Sequence, residues 1–244
     1  VRRWDPKMEE YIFTSRDGVH IFDLAITAQK LVEAMNFVRS WVESGKEIVF
    51  VGTKRQAQAI VREETAKVGA PFVTERWLGG TLTNWEQMKK RIKRLKSLKE
   101  QREKGELKKY TKKEQVLLDR EIAKLERFFG GLSEFTERPE ALFVVDTHRE
   151  LTAVKEANII EAPVVGMVDS NGDPSLVDYV IPVNDDAVRS IKLMVTHIAQ
   201  AYADGKALRK NNPALAKKQD AKKPASKNLA AKKPKAKKVV AKKK

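Results

Sequence analysis

The sequence predicts an α/β fold: a doubly wound, mostly parallel sheet with an inserted antiparallel α-helical coiled-coil hairpin and a disordered basic C-terminal tail. Three observations carry this prediction. Apolar runs of four to six residues alternate with amphipathic stretches along most of the chain, the pattern of strands buried on both faces and joined by crossover helices. Between residues 85 and 129 the strand signal disappears and two narrow apolar stripes replace it. Residues 206–244 hold 16 Lys and Arg against a single acid, Asp220, and such a chain buries too little to offset its ordering entropy.

Taken in order, Tyr11-Ile-Phe-Thr and Val19-His-Ile-Phe flank Ser15-Arg-Asp-Gly18, a hairpin signal. From Thr27 to Glu43 apolar residues recur at Leu31, Met35, Val38 and Val42, one face of a helix closed by Gly45. Glu47-Ile-Val-Phe-Val51 reads as a buried strand, and Gly52-Thr53 opens a helix that Gly69 stops. Phe72-Val-Thr is a second short strand. Met88, Ile92, Leu95 and Leu98 trace the first seam of the hairpin, which Gly105 interrupts. Thr111-Lys-Lys-Glu114 has the form of a capping box, and Leu118, Ile122, Leu125 and Phe129 trace the second seam. Three further strands follow at 141–146, 163–168 and 178–182, with helices ending near residue 160 and covering about 186–203. The domain reading is an α/β unit of flavodoxin-like or Rossmann-like type over 1–84 and 130–205, the hairpin over 85–129, and a Lys/Ala/Pro-rich tail over 206–244.

The 244 residues carry 49 Lys and Arg against 33 Asp and Glu, a net of +16. Outside the tail the balance is 33 bases and 32 acids, yet residues 89–113 alone hold 13 bases and three acids. Two positive regions on a body that is nearly neutral only in total point to a polyanionic partner. The tail by itself fits an RNA or an anionic membrane equally well; the internal basic segment favours RNA. There is no cysteine, which excludes thiol catalysis, disulfides and cysteine-ligated metals. No apolar run approaches the roughly 20 residues that span a bilayer.

Enzymatic motifs are missing. Gly52-Thr-Lys-Arg-Gln-Ala-Gln58 follows a strand and begins a helix, but it matches neither phosphate-loop pattern. Its backbone amides, with Lys54 and Arg55, suit one phosphate; an ordinary strand–helix junction uses the same residues, and the sequence leaves both open. Asp169-Ser-Asn-Gly-Asp173 begins like a calcium loop and fails at Pro174 and Val180. Asp146, Asp169, Asp185 and Asp186 follow strands, where capping and turn duties are a better reading than a magnesium site. The three histidines lack ligand spacing, and no serine sits in a nucleophile elbow. No cofactor and no small-molecule substrate are expected. Arg76-Trp-Leu-Gly-Gly-Thr-Leu-Thr-Asn-Trp85 stands where a crossover helix is due. Its tryptophans read as anchors for the hairpin, and Arg76 as an RNA contact.

These motifs together resemble the bacterial-type ribosomal small-subunit protein S-two family. The matching pieces are Arg3-Trp-Asp-Pro-Lys-Met8, Tyr11-Ile-Phe13, Asp17-Gly-Val-His-Ile21, Phe50-Val-Gly-Thr-Lys-Arg-Gln-Ala-Gln58, Arg76-Trp-Leu-Gly-Gly-Thr-Leu-Thr-Asn84, Lys112-Lys-Glu-Gln115, Ala141-Leu-Phe-Val-Val-Asp146, Val168-Asp-Ser-Asn-Gly-Asp-Pro174 and Asp178-Tyr-Val-Ile-Pro-Val-Asn-Asp-Asp-Ala-Val-Arg-Ser-Ile191. The resemblance implies a non-catalytic protein that binds small-subunit ribosomal RNA between head and body. It implies neighbouring ribosomal proteins, including the large messenger-recruiting one, a part in subunit assembly and translation initiation, and a place on cytoplasmic or plastid ribosomes rather than at a membrane. It also leads one to expect a segment upstream of Val1. Glu161-Ala162 departs from the usual basic-then-aliphatic junction before Pro163. The residues expected to contact RNA are Arg2, Arg3 and Lys7 at the amino end, Lys54, Arg55 and Arg76 on the body, and Lys89, Lys90, Arg91, Lys93, Arg94 and Lys96 on the hairpin.

Overall fold

The computed structural model describes residues 4–211, apart from Thr136 and the side chains of Lys108 and Asn211. Arg2, Arg3 and nearly all of the expected tail lie outside the described residues.

The amino-terminal hairpin pairs β1 (Ile12–Arg16) with β2 (Val19–Phe22) as a separate antiparallel sheet. Asp23 then caps α1 (Leu24–Glu43) by accepting from the Ala25 amide at 2.8 Å. Five strands form the main sheet: β3 (Ile48–Val51), β4 (Phe72–Val73), β5 (Ala141–Val145), β6 (Val164–Val168) and β7 (Tyr179–Pro182). Every pairing in it is parallel, in the spatial order β4-β3-β5-β6-β7. The chain leaves β3 toward one edge and returns to its other side as β5. That reversal places a topological switch point between β3 and β5.

Side chains alternate across this sheet as the period of two requires. Ile48, Phe50, Ala141, Phe143, Val145, Val165 and Met167 join one core. That core also holds residues of α1, α2 (Arg55–Val68) and α6 (Val188–Asn211). Val49, Val51, Leu142, Val144, Val164 and Val168 join the other, with residues of α3 (Trp85–Glu103), α4 (Lys112–Phe129) and α5 (Leu151–Ile159). The sheet is thus buried on both faces, which explains its continuous apolar strands.

The segment between β4 and β5 forms the two expected helices, α3 and α4. They pack on each other along Ile92, Leu95, Leu98 and Ile122, all almost fully buried. A connection of eight residues containing a 3₁₀ turn (Glu106–Lys109) is too short to carry the chain back to the start of α3, so the pair runs antiparallel. The capping box is present: Thr111 Oγ1 accepts from the Glu114 amide, and the Glu114 carboxylate accepts from the Thr111 amide at 2.9 Å. The pair is rooted by Trp77, Trp85, Phe129 and Leu132, which share the core of the sheet.

One boundary is corrected. The sequence ends the last helix near 203 and starts a tail at 206, whereas α6 continues to Asn211. Propensity and packing both extend it: Lys206-Ala-Leu-Arg-Lys210 are strong helix formers, and the Lys206 ammonium donates to the Gly69 carbonyl at 2.9 Å. The first cations of the basic block therefore belong to the globular body.

Candidate nucleic-acid interface

Four loops meet at the carboxyl ends of β3, β5, β6 and β7, and they bring charge together. Lys54 follows β3 and is only 8% exposed. Its Nζ lies 2.6 Å from Asp185, 2.6 Å from Asp186 and 3.1 Å from Asp146. Burial opposes the charge on Lys54, yet its hydrogen bonds to Asp185 and Asp186 hold its pKa above the ordinary lysine value. Burial pushes the Asp185 carboxyl up to about 7, against the pull of Lys54 and helped by the Asp146 carboxylate nearby. Asp169 joins by accepting from the Asp185 amide at 3.4 Å. Oxygens of Asp169, Asp185 and Asp186 come within 4.8 Å of one another, a spacing that suits a cation, and the Lys54 ammonium already supplies one to Asp185 and Asp186. Beside them the Thr53 hydroxyl donates to the buried Glu150 carboxylate, and burial raises the pKa of Glu150.

Lys54, expected at a phosphate, is thus turned inward onto carboxylates that would repel one. Arg55 begins α2 and is exposed. Two cavities of about 400 and 370 Å³ lie elsewhere, beside the end of α5 and at the foot of α3; Gly52 and Thr53 line neither.

The loop from Trp77 to Thr83 is organised by one residue that no sequence motif marks. Glu156, on α5, is buried. Its carboxylate accepts from the Gly80 amide at 2.7 Å, the Leu82 amide at 3.0 Å and the Trp77 indole at 3.2 Å. Thr83 adds its amide and hydroxyl at 3.4 Å. Only Gly80 of the glycine pair needs its freedom, with φ +88°. Trp77 and Trp85 are buried anchors, as expected, and Arg76 is exposed at the loop's start. A lone glutamate on a short helix has no sequence signal that separates it from a surface residue.

The cations of α3 fall on the faces its apolar seam leaves free. Lys90, Arg91, Lys93 and Arg94 are exposed; Lys89 and Lys96 are partly covered. Arg94 pairs with Glu121 of α4 at 3.2 Å, and Lys99 with Glu126 at 2.6 Å. Among the described residues Lys89, Lys90, Arg91, Lys93 and Lys96 make no ion pair. Lys7, from the amino end, is spent differently: its ammonium donates to both oxygens of Asp173 at 2.9 Å and to Ser175 Oγ at 2.8 Å.

The sequence that builds this α/β body and its basic helix pair matches a known family. The family model described as "Ribosomal protein S2" covers residues 1–205. The chain belongs to the ribosomal protein S2 family. The small ribosomal subunit protein uS2 of Roseiflexus sp. (strain RS-1) is 52% identical over 204 residues, spanning 84% of this chain and 78% of that relative. The protein of the same name from Trichormus variabilis is 49% identical over 205 residues, with 84% and 77% covered. As a ribosomal protein S2 family member the chain is a structural component of the small ribosomal subunit, with ribosomal RNA and ribosomal proteins as partners, and not an enzyme. The carboxyl ends of the strands, where α/β enzymes of this topology hold ligands, are in this ribosomal protein S2 family member closed by a lysine–carboxylate cluster. Among the described residues no helix is long and apolar enough to cross a membrane.

Proposed function

We propose that residues 85–129 act as an inserted coiled-coil hairpin that grips small-subunit ribosomal RNA between head and body, and that the protein thereby supports subunit assembly and translation initiation in the cytoplasm. The observation that carries this reading is the row of cations on α3, Lys89, Lys90, Arg91, Lys93 and Lys96, without an ion pair among the described residues. Solubility needs interspersed signs, and this surface lacks them. Arg94 joins the row while bonded to Glu121, and the exposed Arg55 and Arg76 of the body are kept as further contacts. Lys54 and Lys7 are left out, because their donors are taken by carboxylates. Arg2 and Arg3 lie outside the described residues and stay in the proposal on charge alone.

Contacts of this kind go to phosphate and sugar and follow RNA shape more than base sequence. A neighbouring messenger-recruiting protein would then meet the α/β body. The test is Lys93→Glu in the full chain. Its affinity for deproteinised small-subunit rRNA should fall several-fold, with a salt slope flatter by about one or two. Affinity and slope equal to wild type would remove the hairpin from the interface.

A further inference from the structure

We propose that the turn joining α3 to α4 is a second RNA contact, which holds one unpaired nucleotide by stacking its base on Tyr110 and pairing the flanking phosphates with Lys109, Lys112 and Lys113. It rests on the rRNA-binding reading above and adds to it residues that lie beyond the α3 row.

Tyr110 is 49% exposed, and among the described residues its ring stacks on no other aromatic side chain. Lys109, Lys112 and Lys113 are exposed beside it in sequence, again without an ion pair among the described residues. Residues 102–113 hold six bases and two acids. The main chain under the ring is held firmly. Leu107 is buried beneath the turn, and its carbonyl accepts from the Tyr110 amide at 3.2 Å. The Gln115 side-chain amide donates to the Tyr110 carbonyl at 2.8 Å, and the capping box follows at once. A rigid loop that presents an aromatic face loses little entropy when something stacks on it.

Stability does not explain this surface. An exposed tyrosine gains little from burial, and Lys112 and Lys113 occupy the first turn of α4, where the helix dipole disfavours cations. The first-turn acid, Glu114, is committed to the capping box. Aromatic face and positive rim together match an unstacked base with its phosphates. Val116 and Leu117, 50% and 54% exposed, lie further along α4 and make a protein partner the competing occupant.

The experiment measures binding of the full chain to deproteinised small-subunit rRNA across a salt series. Tyr110→Ala and Tyr110→Ile should each weaken binding about tenfold with the salt slope unchanged, and Tyr110→Phe should retain wild-type affinity within about twofold. The pair Lys112→Ala and Lys113→Ala should flatten the slope by about two. The isoleucine variant keeps apolar bulk and serves if the alanine variant lowers the melting temperature. Unchanged affinity in Tyr110→Ile, or a loss in Tyr110→Phe as large as in Tyr110→Ile, overturns the stacking site. So does normal rRNA binding with lost incorporation into subunits, which would assign the turn to a protein. If Lys93→Glu still weakens binding in these outcomes, the hairpin reading survives them; if it does not, the reading falls as well.

Discussion

At the scale of single residues, two buried carboxylate centres organise the body by opposite means. Around Lys54 the carboxylates outnumber the cation. Removing that cation as Lys54→Met leaves Asp146 and Asp185 buried without it, and should cost about 3–5 kcal/mol in urea unfolding. Asp185 adds a pH signature. Its folded pKa of about 7 stands above the ordinary aspartate value, so the folded state binds the extra proton between about pH 4 and 7. This group's contribution to stability therefore falls as pH rises through that window. Asp185→Asn should remove that part of the pH dependence, read as urea midpoints from pH 4 to 8. Glu156 has no cation partner among the described residues and is held by neutral donors instead. In Glu156→Gln the new amide group faces N–H donors at either oxygen position, so the variant should lose about 1–3 kcal/mol. A Glu156→Gln protein as stable as wild type would show that the loop holds itself.

At the scale of elements, the helix pair is held by its seam and its root rather than by its surface charges. Leu95 is fully buried between α3 and α4, and Leu95→Ala should cost about 2–5 kcal/mol. The exposed pairs Arg94–Glu121 and Lys99–Glu126 should contribute no more than about 1 kcal/mol each. At the root, a Cβ on Gly131 would lie 2.2 Å from the Phe72 carbonyl oxygen. The 3₁₀ turn after α4 (Gly130–Leu132) therefore sits directly on β4. Gly131→Ala must push that turn off the edge strand, and should lower the thermal midpoint and loosen the helix pair, seen as faster amide exchange in α4. Its glycine neighbour Gly130 is roomier, 3.7 Å from the Glu126 side chain, and Gly130→Ala is the control expected to change little.

At the scale of the molecule, charge is partitioned. Residues 1–205 balance to +1, and within them residues 89–113 carry 13 bases against three acids, so the net positive charge sits in that stretch and in the block after 205. Three cations of that block, Lys206, Arg209 and Lys210, lie on α6, and Lys206 and Arg209 turn toward Gly69 and Glu47 of the body. The remaining 13 Lys and Arg follow Asn211. A chain ending at Asn211 should still co-sediment with small subunits, but dissociate at lower salt than the full chain. A chain carrying Lys90→Glu, Lys93→Glu and Arg94→Glu should fail to co-sediment even with residues 212–244 present. Sucrose gradients at rising salt read both outcomes, and the reverse order of loss would make the terminal block the principal grip.

By itself the sequence determined the alternation of strands and helices, the capped pair between β4 and β5, the anchoring role of Trp77 and Trp85, and the family. Each depends on local periodicity, on the caps that end a helix, or on motifs read in order, and these survive without knowledge of the fold. Strand order, the length of α6 and the partners of each charge were settled only by tertiary structure. Lys54 and Lys93 are both lysines near other charges in the chain, yet one points into three carboxylates and the other lies exposed on a helix. The carboxylates that capture Lys54 come from loops more than ninety residues away, and Glu156 reaches back over seventy residues to the loop it holds. Contacts at that separation leave no local trace in composition or spacing, because the sheet alone brings the ends of its strands together.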